Sequence, residues 1–254
     1  MWERRHGFPT PSRLPSGHRR YREADVELVR RVAAERAAGM SLASAIARVR
    51  SHGVEATPSV YATLRRLRPD LETRTLAKPL LIALSHAIED ESLARAQRPL
   101  LFGAFQTRRF YGQERPRWRE LARGAELALA FADFPRLREV ADGPIEVPVD
   151  RSHPFSREWT VVCWAPDYGV CLSAWEPPAS EEPGVGRRLE TIWSVEADVV
   201  AEAARTCAGI AAAAGVTRAD RLKDQLDAEA RPASEEQLRL VAAITNRTLA
   251  YLSR

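Results

Sequence analysis

The chain contains few cysteines and few histidines. Its three cysteines are widely spaced and form no CxxC pair, which argues against a disulfide framework and against a thiolate metal site. Only two histidines, His86 and His153, follow residue 52, and a nucleophilic Ser or Cys is typically activated by a histidine base. There is no P-loop, and Gly184-Val185-Gly186 lacks the strand and helix of a nucleotide fingerprint. We therefore predict no enzyme, no cofactor and no metal site.

Long apolar runs are also absent. No stretch approaches the roughly 18 apolar residues of a membrane span, and no apolar signal segment is present. We therefore expect a soluble, cytoplasmic protein without a membrane partner. A length of 254 residues fits two domains.

Positive charge is concentrated near the N-terminus. Residues 1 to 52 hold eleven arginines and five acidic residues, about +6, whereas the whole chain carries +4. A basic head on a slightly acidic body favours nucleic acid at one end. The chain is rich in Ala and Arg, as expected for a GC-rich bacterial genome, so part of this basic signal reflects composition.

Two motifs stand inside the basic segment, WERRHGFP (Trp2 to Pro9) and PSGHRRY (Pro15 to Tyr21). Gly7 allows the positive φ that ends a helix, Pro-Ser-Gly favours a turn, and the forks of Arg19 and Arg20 suit phosphate. In this order the motifs resemble the back half of a MerR-type winged helix-turn-helix.

This resemblance implies that the head binds double-stranded DNA. The predicted DNA-binding residues are Trp2, Arg4, Arg5, His18, Arg19, Arg20 and Tyr21. Phosphate contacts position such a head without specifying sequence. The first helix and turn of the motif do not precede Met1, so we expect the functional protein to begin roughly twenty residues earlier.

Helical periodicity follows the head. Two amphipathic helices are predicted, one carrying Val26, Val29, Val32 and Ala33, the other starting at Ser41 and carrying Leu42, Ala45, Ile46 and Val49. Leu76 to Gln97 predicts a long helix with Pro79 in its first turn, and Glu89, Asp90 and Glu91 are expected to lie solvated on its flank.

Two apolar runs, Leu100 to Gln106 and Leu127 to Phe134, flank an Arg-rich stretch from Arg108 to Gly124. This order predicts a β-α-β unit with parallel strands. The second run is rich in Ala, so a continuation of the helix also fits.

A hairpin is predicted for residues 158–167 and 169–176, with Asp167 and Tyr168 in the turn. Its alternation puts one set of side chains on an ordinary core face: Val161, Cys163, Ala165, Val170, Leu172 and Ala174. The other face is aromatic and mildly polar, and it suits either a ligand or a second layer of helices: Thr160, Val162, Trp164, Cys171, Ser173 and Trp175. Cys163 and Cys171 should therefore not meet. After a loop to Gly186 the sequence reads as mostly helix: Val195 to Ala214, Ala219 to Ala230, and Ser234 to Ser253.

Residues 59 to 214 resemble the DICT sensory domain, which occurs with MerR-like heads in bacteria. The likeness rests on four phrases: LIALSHAIEDE (Leu81 to Glu91), LFGAFQTRRFY (Leu101 to Tyr111), FADF (Phe131 to Phe134) and EWTVVC (Glu158 to Cys163). It implies an α+β fold in which a small sheet with flanking helices follows the partial winged helix. The predicted boundaries are a head at 1–56, a linker with a short helix at 57–75, the DICT-like domain at 76–214 and C-terminal helices at 215–254.

Candidate ligand contacts follow the first predicted strand, because ligands in α/β sheets favour the carboxyl ends of strands. The predicted set is Phe105, Arg108, Arg109, Phe110, Trp164 and Trp175. A surface loop whose arginines pair with acids is the alternative.

The sequence favours a DNA-binding transcription regulator whose DICT-like domain modulates promoter binding in response to an unknown signal. The expected partners are a promoter element, a second copy of the chain, RNA polymerase, and a small-molecule or protein signal. The alternative is a signalling or scaffold protein whose head does not bind DNA.

Overall fold

The computed structural model describes residues 59–177, 188–219, 222–226 and 235–253, and only scattered positions before residue 59. The chain divides into two compact units, residues 1–57 and 58–254. In the first unit, β1 (Ser12–Arg13) pairs antiparallel with β2 (Arg19–Arg20). Positions 26, 29, 30, 32, 33 and 36, which lie within the first predicted helix, are helical, and so is position 42.

The second unit contains helices on both sides of one sheet. Its helices are α1 (Val60–Leu67), α2 (Lys78–Arg95), α3 (Arg108–Gly124), α4 (Ala197–Ala213), α5 (Leu222–Leu226) and α6 (Glu235–Leu252), with a 3-10 turn at Pro154–Arg157. Its strands are β3 (Arg74–Ala77), β4 (Leu100–Phe105), β5 (Leu127–Ala132), β6 (Ile145–Pro148), β7 (Glu158–Ala165), β8 (Tyr168–Trp175) and β9 (Arg188–Ser194).

The seven strands follow the order β3-β9-β8-β7-β4-β5-β6. β4, β5 and β6 run parallel, and the other neighbouring pairs are antiparallel. The predicted β-α-β unit is confirmed, because β4 and β5 pair in parallel and α3 connects them. The predicted mixed fold, a sheet with flanking helices, is confirmed as well.

Local sequence explains where the helices begin. The Ser59 hydroxyl accepts a hydrogen bond from the Ala62 N–H (3.2 Å) at the start of α1, and Thr107 accepts one from the Phe110 N–H (3.4 Å) at the start of α3. Pro79 lies in the first turn of α2, where a helix needs no backbone donor. These caps supply partners to N–H groups that lack one within the helix.

Three strands were missed by the sequence prediction. β3 includes Leu76 and Ala77, which the apolar pattern assigned to the following helix, and β9 lies where mostly helix was predicted. β3 and β6 are four residues long and form the two edges of the sheet. Such short strands show too little alternation to be recognised without their partners.

The predicted hairpin is formed by β7 and β8, but Pro166 and Asp167 occupy the turn instead of Asp167 and Tyr168. The pairing therefore differs from the prediction by two residues. Because side chains alternate with a period of two, such a shift leaves the faces unchanged. Cys163 and Cys171 accordingly lie in different core clusters on opposite faces, as predicted.

Both faces of the sheet are buried under helices. α1, α4 and α5 cover one face, where the core includes Leu64, Phe102, Phe131, Val162 and Val200. α2, α3 and α6 cover the other, where it includes Leu81, Ile88, Trp118, Leu172 and Ile244. The hairpin face that carries Trp164 and Trp175 is thus packed under α1 and α4.

A buried carboxylate, that of Glu158, ties α1 to the sheet. It accepts hydrogen bonds from the Ser59 hydroxyl, from the Tyr61 backbone N–H (3.2 Å), and from the hydroxyls of Thr160 (3.4 Å) and Ser173 (3.3 Å). The dipole of α1 favours a negative charge at this end of the helix. Burial nevertheless raises the pKa of Glu158 to about 7, although the same hydrogen bonds act to lower it.

Close packing at Gly103 gives a first prediction. A Cβ atom at this position in β4 would lie 2.5 Å from Trp118 Cζ2. We expect Gly103→Ala to lower the free energy of unfolding by about 1–3 kcal/mol, because overpacking strains a core. Urea denaturation measures this change.

The matched control for that experiment is Gly112→Ala in α3, where nothing lies within 4 Å of the added Cβ. Replacing a helical glycine by alanine should raise stability by up to about 1 kcal/mol. Equal stabilities of the two variants would contradict the tight contact.

Glu158 gives a second prediction, on pH. Its pKa of about 7 in the folded protein exceeds the ordinary value of 4.5, so the folded state binds the proton more tightly than the unfolded chain. The resulting stabilisation is complete below pH 4.5 and is lost as pH rises through 7, up to about 3 kcal/mol. The free energy of unfolding, measured by urea denaturation, should decline between pH 5 and pH 8. Glu158→Gln should reduce this decline, and the exposed Glu120→Gln should leave it intact. An identical dependence on pH in all three proteins would exclude this role of Glu158.

Candidate functional site

A groove of about 640 Å³ lies at the β3 edge of the sheet, between α2 and α6. Its apolar walls come from both helices and from two strands: Leu76, Leu80, Leu84, Trp193, Leu249 and Leu252. This volume is within the range of about 300–1,000 Å³ that is typical of small-molecule sites.

Local sequence order explains the walls of the groove. α2 begins directly after β3, so that Leu80 and Leu84, four residues apart, lie on one face of the helix above the sheet edge. Leu249 and Leu252 of α6 face the groove from the other side and remain 58% and 48% exposed. The groove therefore presents apolar surface from two separate helices.

The acidic groups at the rim of the groove have arginine partners. Arg68 bridges Asp70 (2.7 Å) and Glu196 (2.8 Å), and Glu72 pairs with Arg74 (2.5 Å). The rim is therefore largely neutralised, which disfavours a strongly charged ligand.

Two threonines of α6 add polar groups to the groove. Thr245 and Thr248 donate their hydroxyls to the carbonyls of Val241 and Ile244, both at 2.8 Å, so that their oxygens can still accept a hydrogen bond. The groove thus suits an uncharged, largely apolar molecule that carries a hydrogen-bond donor.

Ion pairs hold α6 against α2. Arg247 of α6 makes two bonds to one oxygen of Glu91 (2.7 and 2.9 Å) and contacts Asp90 at 3.4 Å. The Tyr251 hydroxyl donates to the same Asp90 oxygen, and Arg95 pairs with the second oxygen of Glu91 (2.7 Å). These contacts fix α6 at the position that closes the groove.

The junction of α2 and α6 extends to α3. Arg117 of α3 lies 2.6 Å from Asp90 and 3.1 Å from Glu89. The prediction that Glu89, Asp90 and Glu91 are solvated is therefore wrong, because Glu89 and Glu91 are each only 4% exposed. α3 and α6, whose positions the local sequence does not specify, cover this side of α2.

The junction keeps Glu91 ionised. Burial alone would raise the pKa of this carboxyl, but hydrogen bonds from Arg247 and Arg95 outweigh burial and hold the pKa below its usual range. Glu91 therefore remains an anion that anchors α6 at neutral pH.

The predicted ligand residues lie in separate places. Phe105 packs edge-to-face on Tyr111 and Trp118, at 5.2 Å in both cases, on the face of the sheet opposite Trp164 and Trp175. The two tryptophans are themselves about 20 Å apart, since the β8 partner of Trp164 stands six residues from Trp175. The structure thus does not bring the predicted set together.

The arginines that follow β4 are exposed, but the adjacent helix terminus is occupied. The backbone N–H of Arg108 donates to Asp133 (2.6 Å), and Arg151 pairs with the other oxygen of Asp133 (2.9 Å). This carboxylate therefore takes the position that an anionic ligand would occupy at the start of α3. Arg108 and Arg109 remain exposed beside it, and Lys78 lies 4.9 Å from the centre of the Phe110 ring.

The predicted DNA-binding residues belong to the first unit. Arg19 and Arg20 form β2, whereas the other five predicted residues are outside the described part of the chain: Trp2, Arg4, Arg5, His18 and Tyr21.

The groove was not predicted from the sequence, although one signal was available. The last helix carries Leu249 and Leu252 in addition to Leu240 and Ile244, and the latter two already bury it against the core. Nothing in the sequence placed Trp193 at the groove, because β9, the strand that carries it, was not predicted.

The junction gives a third prediction. Arg247→Met should lower the free energy of unfolding by about 1–3 kcal/mol, because it leaves the buried Glu91 with Arg95 as its remaining arginine partner among the described residues. Arg239→Met on the same helix is the control, since its pair with Glu235 is exposed, and it should cost less than about 1 kcal/mol. Urea denaturation of both variants makes the comparison, and equal losses would mean that the junction does not hold α6.

None of the helices in the described ranges is long and apolar enough to cross a membrane. Among curated proteins and solved structures, none matches this chain. Two family models do match: residues 1–51 match the MerR HTH family of regulatory proteins, and residues 58–177 match the sensory domain of diguanylate cyclases and two-component systems, DICT. Both models describe regulatory rather than catalytic domains, and the chain joins a region that matches the MerR helix-turn-helix family to a region that matches the DICT sensory domain.

Proposed function

We propose that the chain is a cytoplasmic, homodimeric transcription regulator, whose head binds double-stranded promoter DNA and whose body changes that binding when it senses a ligand. The observation that carries this proposal is the fusion of a MerR-type region to a DICT sensory domain in one chain. The concentration of positive charge in residues 1 to 52 supports a head that binds nucleic acid.

The paired strands β1 and β2 support a role for Arg19 and Arg20 at DNA. The strands flank the Pro-Ser-Gly turn in sequence, and both arginines belong to β2. A basic hairpin of this kind presents guanidinium groups to phosphates, which position a head on the duplex.

Dimerisation follows from the way such heads read DNA. A promoter element with two half-sites needs two copies of the head at a fixed spacing. The proposed functional unit of the protein is therefore a homodimer. Because the regulator would act at a promoter, RNA polymerase is a further proposed partner.

The groove between α2 and α6 is the proposed sensory site. An uncharged, largely apolar ligand would contact Leu80 and Leu84 of α2 together with Leu249 and Leu252 of α6. It would change promoter binding only if it bound two conformations of the body with different affinity.

A fluorescence anisotropy titration with DNA from the chain's own promoter tests the proposal. The chain and a version extended upstream in frame are compared at two salt concentrations. We expect affinity to fall steeply with salt, and the double variant Arg19→Ala/Arg20→Ala to reduce the slope of log affinity against log salt by about 2.

The matched control for this titration is Arg119→Ala/Arg123→Ala, which removes the same charge from exposed positions of α3 and should leave the slope unchanged. Absence of binding by both versions of the protein would overturn the proposal and favour the signalling or scaffold alternative.

A further inference from the structure

Three side chains that could hold a metal ion converge beside the junction of α2 and α3. His86 and Glu89 are three residues apart and share one face of α2, and Glu114 reaches them from α3. Their nearest ligand atoms all lie within 4.8 Å of one another, with His86 Nε2 3.0 Å from Glu114 Oε2. We propose that His86, Glu89 and Glu114 bind a divalent transition metal ion of the Zn²⁺ type, at a site for which the sequence predicted no metal.

The donor set fits this class of ion. One imidazole nitrogen and two carboxylate oxygens are common ligands of Zn²⁺, and the intermediate softness of imidazole selects transition metals over Mg²⁺ or Ca²⁺. In a tetrahedral site with bonds of about 2.1 Å, ligand atoms stand about 3.4 Å apart. The His86–Glu114 separation of 3.0 Å is close to this distance, and a ligand atom of Glu89 lies within 4.8 Å of both.

Glu89 carries the second, independent observation. Its side chain is 4% exposed, and Trp118 Nε1 donates to Oε1 at 3.1 Å. The other oxygen, Oε2, is buried and accepts no hydrogen bond within the described part of the chain, although Arg117 Nε stands 3.1 Å away. Arg117 offsets part of the cost of burying this oxygen as an ion pair without a hydrogen bond, and a bound cation would supply the directed partner that the oxygen lacks.

The carboxylates at the site share few basic partners among the described residues. Arg117 is shared between Glu89 and Asp90, with its Nη1 2.6 Å from Asp90, and Glu114 pairs with His86 at 3.0 Å. A divalent cation would complete the compensation of their charge.

The site is open to solvent on one side. The side chains of His86 and Glu114 are 23% and 29% exposed, so an ion can enter and keep water as a further ligand. The His86 ring also meets the Tyr251 ring of α6 edge-on, with centroids 5.9 Å apart. A metal ion would therefore connect α2 and α3 directly beside the contact with α6, and this inference does not depend on promoter binding.

Calorimetric titration of the chelator-treated full chain with Zn²⁺ alone tests the proposal, and Co²⁺ absorption reports the ligand environment. We expect one ion per chain to bind at this site, and His86→Ala and Glu114→Gln each to weaken binding at least about tenfold and to change the Co²⁺ spectrum. Zn²⁺ should raise the Tm of the unaltered protein and have less effect on both variants. Because both side chains are partly exposed, the variants should fold, which circular dichroism checks.

The matched controls are His153→Ala and Glu120→Gln, which remove the same groups outside the cluster and should bind Zn²⁺ as the unaltered chain does. The proposal is overturned if the chain binds no ion, if His86→Ala and Glu114→Gln bind it unchanged, or if the controls lose affinity equally.

Discussion

Burial of the central strands on both faces is the constraint on which the rest of the second unit depends. β4, β7 and β8 carry apolar side chains that point alternately to both sides of the sheet, so each face needs a layer of helices. α1, α4 and α5 supply one layer, and α2, α3 and α6 supply the other. The groove and the acidic junction both belong to the second layer, where the last helix of the chain meets α2.

The attachment of α6 combines apolar packing with a small number of charged contacts. Leu240 and Ile244 bury one stripe of the helix, while Arg247 and Tyr251 reach the carboxylates of α2. A buried carboxylate is costly unless a partner compensates its lost hydration. The attachment of α6 therefore depends on arginines that reach the carboxylates at hydrogen-bond distance, as Arg247 does with Glu91. The same pair of helices borders both the groove and the His86 cluster, and a change in their spacing would alter both.

Much of the second unit could be predicted from local patterns. Two apolar runs around an amphipathic helix gave the parallel β-α-β unit, and alternation gave the faces of the hairpin even though its turn was displaced by one residue. β3, β6 and β9 were missed, since two are short edge strands and the third follows a loop rich in Pro, Ser and Glu. Glu89 and Glu91 were misplaced because a run of acidic residues on a helix is ordinarily solvated.

The sequence by itself determined the presence of the main helices, the parallel β-α-β unit and the side of the sheet on which each hairpin residue lies. These properties depend on neighbouring residues, on caps and on the alternation of a strand. Only the tertiary structure decided that α6 lies on α2, that Glu89 is buried beside His86 and Glu114, and that a groove remains at the β3 edge. Each of these contacts joins segments far apart in sequence, and their pairing is set by how the helical layer fills the space over the sheet, which no local pattern encodes.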